Sequence, residues 1–183
     1  MSIDLDESEI FNAYNEIPSI RNKDDFLIPF IEVIMDPNFH TGTTETDQTL
    51  LKSLIVFACL MEGLFFYVGF TQIVALGRQN KMVGAAGQYP YILRDESMHC
   101  NFGIDLINQL KLETHTFGQV NSKTKSMHYF AEPWTWNTPT LKTPCHVVCS
   151  AMFKGYLRFI ANRRAVQIGL EELFPGEEIL SPG

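Results

Sequence analysis

The chain has 183 residues, of which 45% are hydrophobic, and it carries a net charge of −7. This length and composition predict a single domain with a packed core. The acidic balance argues against non-specific binding to nucleic acid or to anionic membranes, because both favour basic patches. The cysteines are irregularly spaced and the acidic start of the chain has no signal-peptide pattern. We therefore expect reduced thiols and a cytoplasmic protein.

The N-terminal part of the chain predicts two short helices. Apolar residues follow the helical period on both sides of Pro18, as far as Pro37. The polar segment that follows contains a glycine and several threonines, so it is expected to form a loop. Thr46 or Asp47 is the predicted cap of the next helix.

The longest predicted helix, residues 48–76, is almost entirely apolar. Between Lys52 and Arg78 its only charged residue is Glu62. The segment is long enough to span a bilayer. However, a mid-helix carboxylate is costly in lipid, and the flanks lack both a basic cluster and an aromatic belt. We therefore predict a helix buried in a soluble bundle and no membrane span.

A second long helix is predicted at residues 91–112, where apolar residues again follow the helical period. Gly84, Gly87 and Pro90 precede it and predict a connection. Residues 114–150 are rich in threonine, proline, serine and asparagine and show neither a helical nor a strand period. We expect this to be an aberrant segment of low order.

The last predicted helix covers residues 151–173. Its apolar residues form one stripe, and its three arginines are predicted to lie outside that stripe. These arginines are Arg158, Arg163 and Arg164. The helix is predicted to end at Phe174-Pro175-Gly176.

Glu96 and His99 are spaced so that both side chains project from one face of the second long helix. Glu62 would come from the neighbouring antiparallel helix. Di-metal carboxylate bundles use one carboxylate from each of two helices and a Glu-x-x-His from each of the other two. The three residues therefore correspond to half of such a ligand set.

Simpler interpretations exist for the same residues. Glu-x-x-His also occurs by chance on helix surfaces. Glu62 would alternatively be a buried carboxylate paired with Arg94 or Arg78. The aromatic cluster around Phe66 and Phe70 is typical of an ordinary core. The other histidines and the spaced cysteine pair lack partners for a metal site and are not interpreted as ligands: His40, His115, His128, His146, Cys145 and Cys149.

Three segments carry a resemblance to a known family. Residues 61–68 read Met-Glu-Gly-Leu-Phe-Phe-Tyr-Val, and residues 91–99 read Tyr-Ile-Leu-Arg-Asp-Glu-Ser-Met-His. With residues 152–164, they resemble the small (beta) subunit of bacterial class Ia ribonucleotide reductase, in family order over residues 3–113 and 151–176. The resemblance implies an all-α, ferritin-like helical bundle with a di-iron centre. It also implies a tyrosyl radical that is passed to the large (alpha) subunit, which reduces ribonucleotides to deoxyribonucleotides for DNA synthesis.

Carried over by position, the resemblance implies that Glu62, Glu96 and His99 are ligands in one half of the di-iron site. Asp95 would be the buried aspartate of the radical-transfer route. The residues that match the apolar lining of the radical pocket, where they would exclude water, are Phe66, Phe70 and Ile92.

The resemblance also implies that parts of the family's machinery lie outside the chain. The other carboxylate and Glu-x-x-His ligands, the radical tyrosine and the transfer tryptophan would precede Met1, and the tail that docks on the large subunit would follow Gly183. We therefore expect residues 1–183 to form one partial domain, about the C-terminal half of the fold, with little activity alone. The alternatives are an inactive, poorly folded fragment and a homodimer that completes a di-metal site from two half-sets.

The unpatterned middle of the chain suggests a frameshift. Read in a shifted codon phase, residues 131–148 can encode a string that resembles the family's amphipathic helix at this place. We hypothesise a frameshift that begins near Glu113 and is restored near Ala151, which the gene sequence would test.

Overall fold

The structure, a computed structural model, describes residues 6–114 and 150–176, and within these ranges every regular element is a helix. The predicted all-α class is therefore confirmed. Residues 115–149 lie outside the described part, and with them the frameshift hypothesis and nearly all of the expected low-order segment. The elements are α1 (Glu7–Glu16), α2 (Pro18–Met35), α3 (Thr44–Ile55), a π-helix (Val56–Phe65), α4 (Phe66–Arg78), α5 (Val83–Thr114) and α6 (Ser150–Gln167).

Helices α1 and α2 confirm the two predicted N-terminal helices, and α2 begins at Pro18. The predicted cap of α3 was wrong. Thr43 is the capping residue, because its side-chain oxygen accepts a hydrogen bond from the Thr46 amide at 3.2 Å. The Thr43 amide donates back to the Thr46 hydroxyl at 3.2 Å. Two threonines thus form a reciprocal capping box in which Thr46 is the third helical residue.

The segment Thr44–Arg78 is one continuous helical stretch of 35 residues that contains α3, the π-helix and α4. It is long and apolar enough to cross a membrane, but 61% of its most apolar part is buried inside the protein. Its neighbours are α2, α5 and α6. This burial favours a core helix over a membrane span.

Helix α5 begins at Val83, earlier than the predicted start at residue 91. A short turn precedes it, in which Asn80 has a φ of 61°. A Cβ atom at Gly77 would overlap the side chain of Ala86, so α4 and α5 pack closely from the turn onwards. This tertiary contact keeps the segment helical even though Pro90 removes one backbone donor.

Helix α6 ends at Gln167, so the prediction that it extends to Leu173 was wrong. Gly169 ends the helix in the left-handed conformation with a φ of 78°, and the Leu170 amide donates to the Ala165 carbonyl at 2.9 Å. This is a Schellman-type helix end, for which glycine is the preferred residue.

The core lies where the π-helix packs against α5 and α6. At its centre, α5 approaches the π-helix so closely that a Cβ atom at Gly103 would overlap the side chain of Ala58. Ala58 is about one turn before Glu62, and Gly103 is about one turn after His99. The fully buried residues of the core include Cys59, Leu60, Ile107, Leu157 and Ile168.

Candidate metal centre

The structure brings Glu62, Glu96 and His99 together. Glu62 lies on the π-helix, and the other two residues lie on α5. One possible ligand atom from each of the three side chains lies within 4.8 Å of the others. The Nδ1 atom of His99 is 3.3 Å from Oε2 of Glu96 and 3.7 Å from Oε2 of Glu62.

The cluster is closed on one side and open on the other. The side chains of Glu62 and Glu96 are only 12% and 18% exposed, whereas the side chain of His99 is 60% exposed. The carboxylates therefore sit at the inner end of the cluster, and the imidazole lies at its rim.

Without a metal ion, the ionised form of the Glu62 side chain is unfavourable in its buried position. Its Oε2 atom is buried and forms no hydrogen bond within the described residues. Burial first, and then the neighbouring Glu96 carboxyl, raise the pKa of Glu62 from 4.5 to about 7, while His99 opposes the shift. A cation between the two carboxylates would offset the unfavourable burial of their negative charges.

The donor set fits a divalent transition metal. Two carboxylates and an imidazole are typical ligands of iron and manganese in helical bundles. The buried Oε2 atom of Glu62, which accepts no hydrogen bond within the described residues, is a second observation in favour of a metal site, because a metal ion would satisfy it. Three such side chains are about half of the number that a two-metal site in a helical bundle uses.

The π-helix supplies the position of Glu62. Its backbone is wider than that of an α-helix, and the Phe66 amide donates to the Met61 carbonyl five residues earlier. π-Helical segments are rare, and they occur frequently at functional sites. Here the widened segment directs Glu62 towards α5.

The alternative ion pairs of Glu62 are not formed in the described part of the chain. Arg94 instead lies beside Asp95, with 3.4 Å between Nη2 and Oδ1. Arg78 is an exposed residue at the end of α4.

The side chain of Asp95 is 49% exposed, although the resemblance implies a buried aspartate at this position.

Two of the three predicted pocket residues lie together. Phe66 and Phe70 are one turn apart on α4, and their ring centroids are 6.1 Å apart. The Phe70 ring also packs edge-on against Tyr89 of α5 at 5.4 Å. Ile92 and Phe66 are partly exposed, at 40% and 38%. Ile92 is one turn before Glu96 and Phe66 is one turn after Glu62, so each apolar residue is next to a candidate ligand.

Sequence reasoning missed Arg164, which is buried although it was expected to lie off the apolar stripe. The helical spacing nevertheless indicates its burial, because position 164 is one turn after Ile160 and Ala161 and one turn before Ile168. All three of those residues are buried.

The predicted loop position of His40 is confirmed, since that residue is exposed and outside any helix.

Glu62 should make the stability of the metal-free protein depend on pH. Because the pKa of Glu62 in the folded chain, about 7, exceeds its ordinary value of 4.5, folding favours the protonated carboxyl. This stabilisation is fully present below the ordinary value and is lost as the pH rises through about 7. We expect the free energy of unfolding to fall by about 1 kcal/mol between about pH 6 and pH 8, measured by circular dichroism during denaturation.

The matched variant for this measurement is Glu62→Gln, which keeps the shape of the side chain and removes its titration. Its unfolding free energy should change less over the same pH range than that of the unaltered chain. An equal pH dependence in the two proteins would contradict the role given to Glu62.

An all-α bundle in which carboxylates and a histidine cluster between two helices is the arrangement found in helical proteins that bind metals through carboxylates. The family model described as "Ribonucleotide reductase, small chain" matches residues 2–181. The chain belongs to this family.

Individual proteins agree with the family assignment. The chain is 41% identical over 177 residues to "Ribonucleoside-diphosphate reductase subunit beta" of Chlamydia pneumoniae, an alignment covering 94% of this chain and 51% of the relative. A solved structure described as a class I ribonucleotide reductase from Bacillus halodurans is 27% identical, with a TM-score of 0.78 over 93% of this chain and 53% of the other.

A second solved structure supports the fold alone. The ribonucleotide reductase R2 subunit from Clostridium botulinum is 21% identical, with a TM-score of 0.79 over 97% of this chain and 55% of that chain. These neighbours have the ferritin-like helical fold, which confirms the predicted fold class. The chain spans about half the length of the relatives that it matches.

Proposed function

We propose that the chain acts as part of the small subunit of a ribonucleoside-diphosphate reductase, with Glu62, Glu96 and His99 as ligands in one half of a di-iron centre. The meeting of these three side chains around a buried carboxylate oxygen that accepts no hydrogen bond within the described residues supports this proposal most directly. In the complete subunit, the bound metal centre would supply the oxidising chemistry that generates the radical.

The other proposed residues act around the metal ligands. Phe66, Phe70 and Ile92 would form an apolar wall that keeps water and oxidisable side chains away from the radical. Asp95 would accept a hydrogen bond from a ligand histidine on the radical-transfer route, once another part of the subunit covers its exposed face. The partners of the complete protein would be a second small subunit and the large subunit, in the cytoplasm.

The half-open cluster favours a second candidate, a metal site completed between two copies of the chain. His99 is 60% exposed at the rim, and Met98 and Phe102 on the same helix are 58% and 71% exposed. A two-fold axis near these residues would bring together four carboxylates and two histidines. Sedimentation with and without metal distinguishes the two candidates, because a shared site predicts a dimer that forms only when metal is bound and that contains two ions.

Anaerobic equilibrium dialysis against Fe(II) and Mn(II) tests the proposed metal site. We expect uptake of about one ion per chain. The double variant Glu96→Ala, His99→Ala should lose this uptake, while His40→Ala, which alters an exposed loop histidine, should keep it. The proposal fails if the unaltered chain binds neither metal, or if the double variant binds as well as the unaltered chain.

A further inference from the structure

A buried arginine reaches the helix segment that carries Glu62. Arg164 of α6 is 4% exposed. Its Nε atom donates to the Gly63 carbonyl at 3.3 Å, and its Nη2 atom donates to the Tyr67 hydroxyl at 3.2 Å. Its Nη1 atom donates to Oε1 of Gln167 at 2.8 Å. All three acceptors are neutral, so no ion pair among residues 6–114 and 150–176 explains why this cation is buried.

Gly63, directly after Glu62, provides the space for this arginine. A Cβ atom at Gly63 would lie 2.8 Å from Nε of Arg164 and 3.0 Å from the Ala58 carbonyl. Any larger residue would therefore displace the guanidinium group. The backbone next to Glu62 is thus fixed by a hydrogen bond from α6 in addition to those of its own helix.

The same network extends to the second ligand-bearing helix. The hydroxyl oxygens of Tyr67 and Ser97 are 3.2 Å apart, and Ser97 donates to the Leu93 carbonyl at 2.6 Å. Since the single hydroxyl proton of Ser97 is used in that bond, Tyr67 must donate to Ser97 and accept from Arg164. Ser97 directly follows Glu96, so the chain of hydrogen bonds joins the backbones beside both carboxylates.

We propose that Arg164 and Tyr67 are positioning residues that set the distance between Glu62 and the Glu96–His99 pair, so that metal affinity depends on them although neither forms a hydrogen bond with a ligand side chain. This inference rests on the proposed metal site. Partners that orient metal ligands without touching the metal typically change affinity by about 10- to 100-fold when they are removed.

The test compares two network variants with a matched control in the full chain. Arg164→Gln shortens the side chain and removes the guanidinium, and Tyr67→Phe removes only the bridging hydroxyl. The control is Asn162→Ala, a residue of the same helix that is also 4% exposed. Its two hydrogen bonds, both 2.7 Å long, go to the backbone of Phe174 and not to the ligand helices.

Binding of Mn(II), followed by the electron paramagnetic resonance signal of the free ion, gives the dissociation constant. We expect about a tenfold increase or more for both network variants and less than about a twofold change for Asn162→Ala. Unchanged binding by Tyr67→Phe would overturn the inference, as would a loss in Asn162→Ala equal to that in the network variants. If Arg164→Gln does not fold, Tyr67→Phe decides the question alone.

Amide hydrogen exchange of the π-helix Val56–Phe65 separates this inference from the metal-site proposal. If the unaltered chain binds no Mn(II), the metal-site proposal fails. Faster exchange in Tyr67→Phe than in both the unaltered chain and Asn162→Ala would then still support positioning by the network. Equal exchange rates in the three proteins would overturn it.

Discussion

Replacing Glu62 with alanine is expected to lower the affinity of the chain for Mn(II) by at least about 100-fold, because it removes a metal ligand outright. Glu62 has the least exposed side chain of the three candidate ligands, and its buried Oε2 atom accepts no hydrogen bond within the described residues. The remaining pair, Glu96 and His99, would hold an ion only at the open rim of the cluster. Isothermal titration calorimetry under anaerobic conditions measures the change.

The matched control for Glu62→Ala is Asp105→Ala. Asp105 is an exposed carboxylate on α5, the helix that also carries Glu96 and His99. Its loss changes the formal net charge of the chain by the same amount and should leave the dissociation constant nearly unchanged. Equal losses in the two variants would mean that the metal binds to the acidic surface and not to the cluster.

Substituting alanine for glycine at two positions of α5 is expected to change stability in opposite directions. Gly103→Ala should lower the free energy of unfolding by about 1–3 kcal/mol, because the added methyl group overlaps Ala58 and forces the helices apart. Gly87→Ala should raise it by about 0.5–1 kcal/mol, because nothing lies within 4 Å of the added atom and alanine favours the helix. Denaturation with urea measures both values.

The Gly103 variant should also weaken metal binding, because the overlap lies about one turn from both Glu62 and His99. Gly87→Ala should not, since Gly87 is more than two turns from Glu96. If Gly103→Ala is as stable as the unaltered chain, the close approach between α5 and the π-helix is not the contact that positions the ligands.

The ends of the helices were predictable where local chemistry determines them. Pro18 was recognised from the sequence as a boundary because it interrupts the helical pattern, and it proves to be the first residue of α2, where proline costs no hydrogen bond. Gly169 carried an equally local signal, since glycine is favoured in the left-handed conformation that ends a helix. The prediction for α6 instead relied on a more distant proline and therefore placed the end too late.

The early start of α5 was not predictable from local preference. Gly84, Gly87 and Pro90 all disfavour a helix interior, yet all three lie inside α5. The contact between Gly77 and Ala86 stabilises this part of the helix, and it forms only after the chain has turned back on itself. Tertiary packing therefore outweighs intrinsic preference here.

The candidate ligands were predictable because a lone charge in an apolar helix and a Glu-x-x-His spacing are both visible in the sequence. The π-helix that directs Glu62 was not visible, because an almost uniformly apolar run has no periodicity from which helical register can be read. Arg164 was misplaced because charge was given more weight than helical position. Its burial depends on Gly63, which lies 101 residues earlier in the chain.

Anomalous diffraction from crystals of the chain grown anaerobically with Mn(II) tests the central claim most directly. We predict a metal peak bonded to carboxylate oxygens of Glu62 and Glu96 and to a ring nitrogen of His99. A well-ordered cluster without a metal peak, or a metal bound only at other residues, would contradict the assignment of these three residues as ligands.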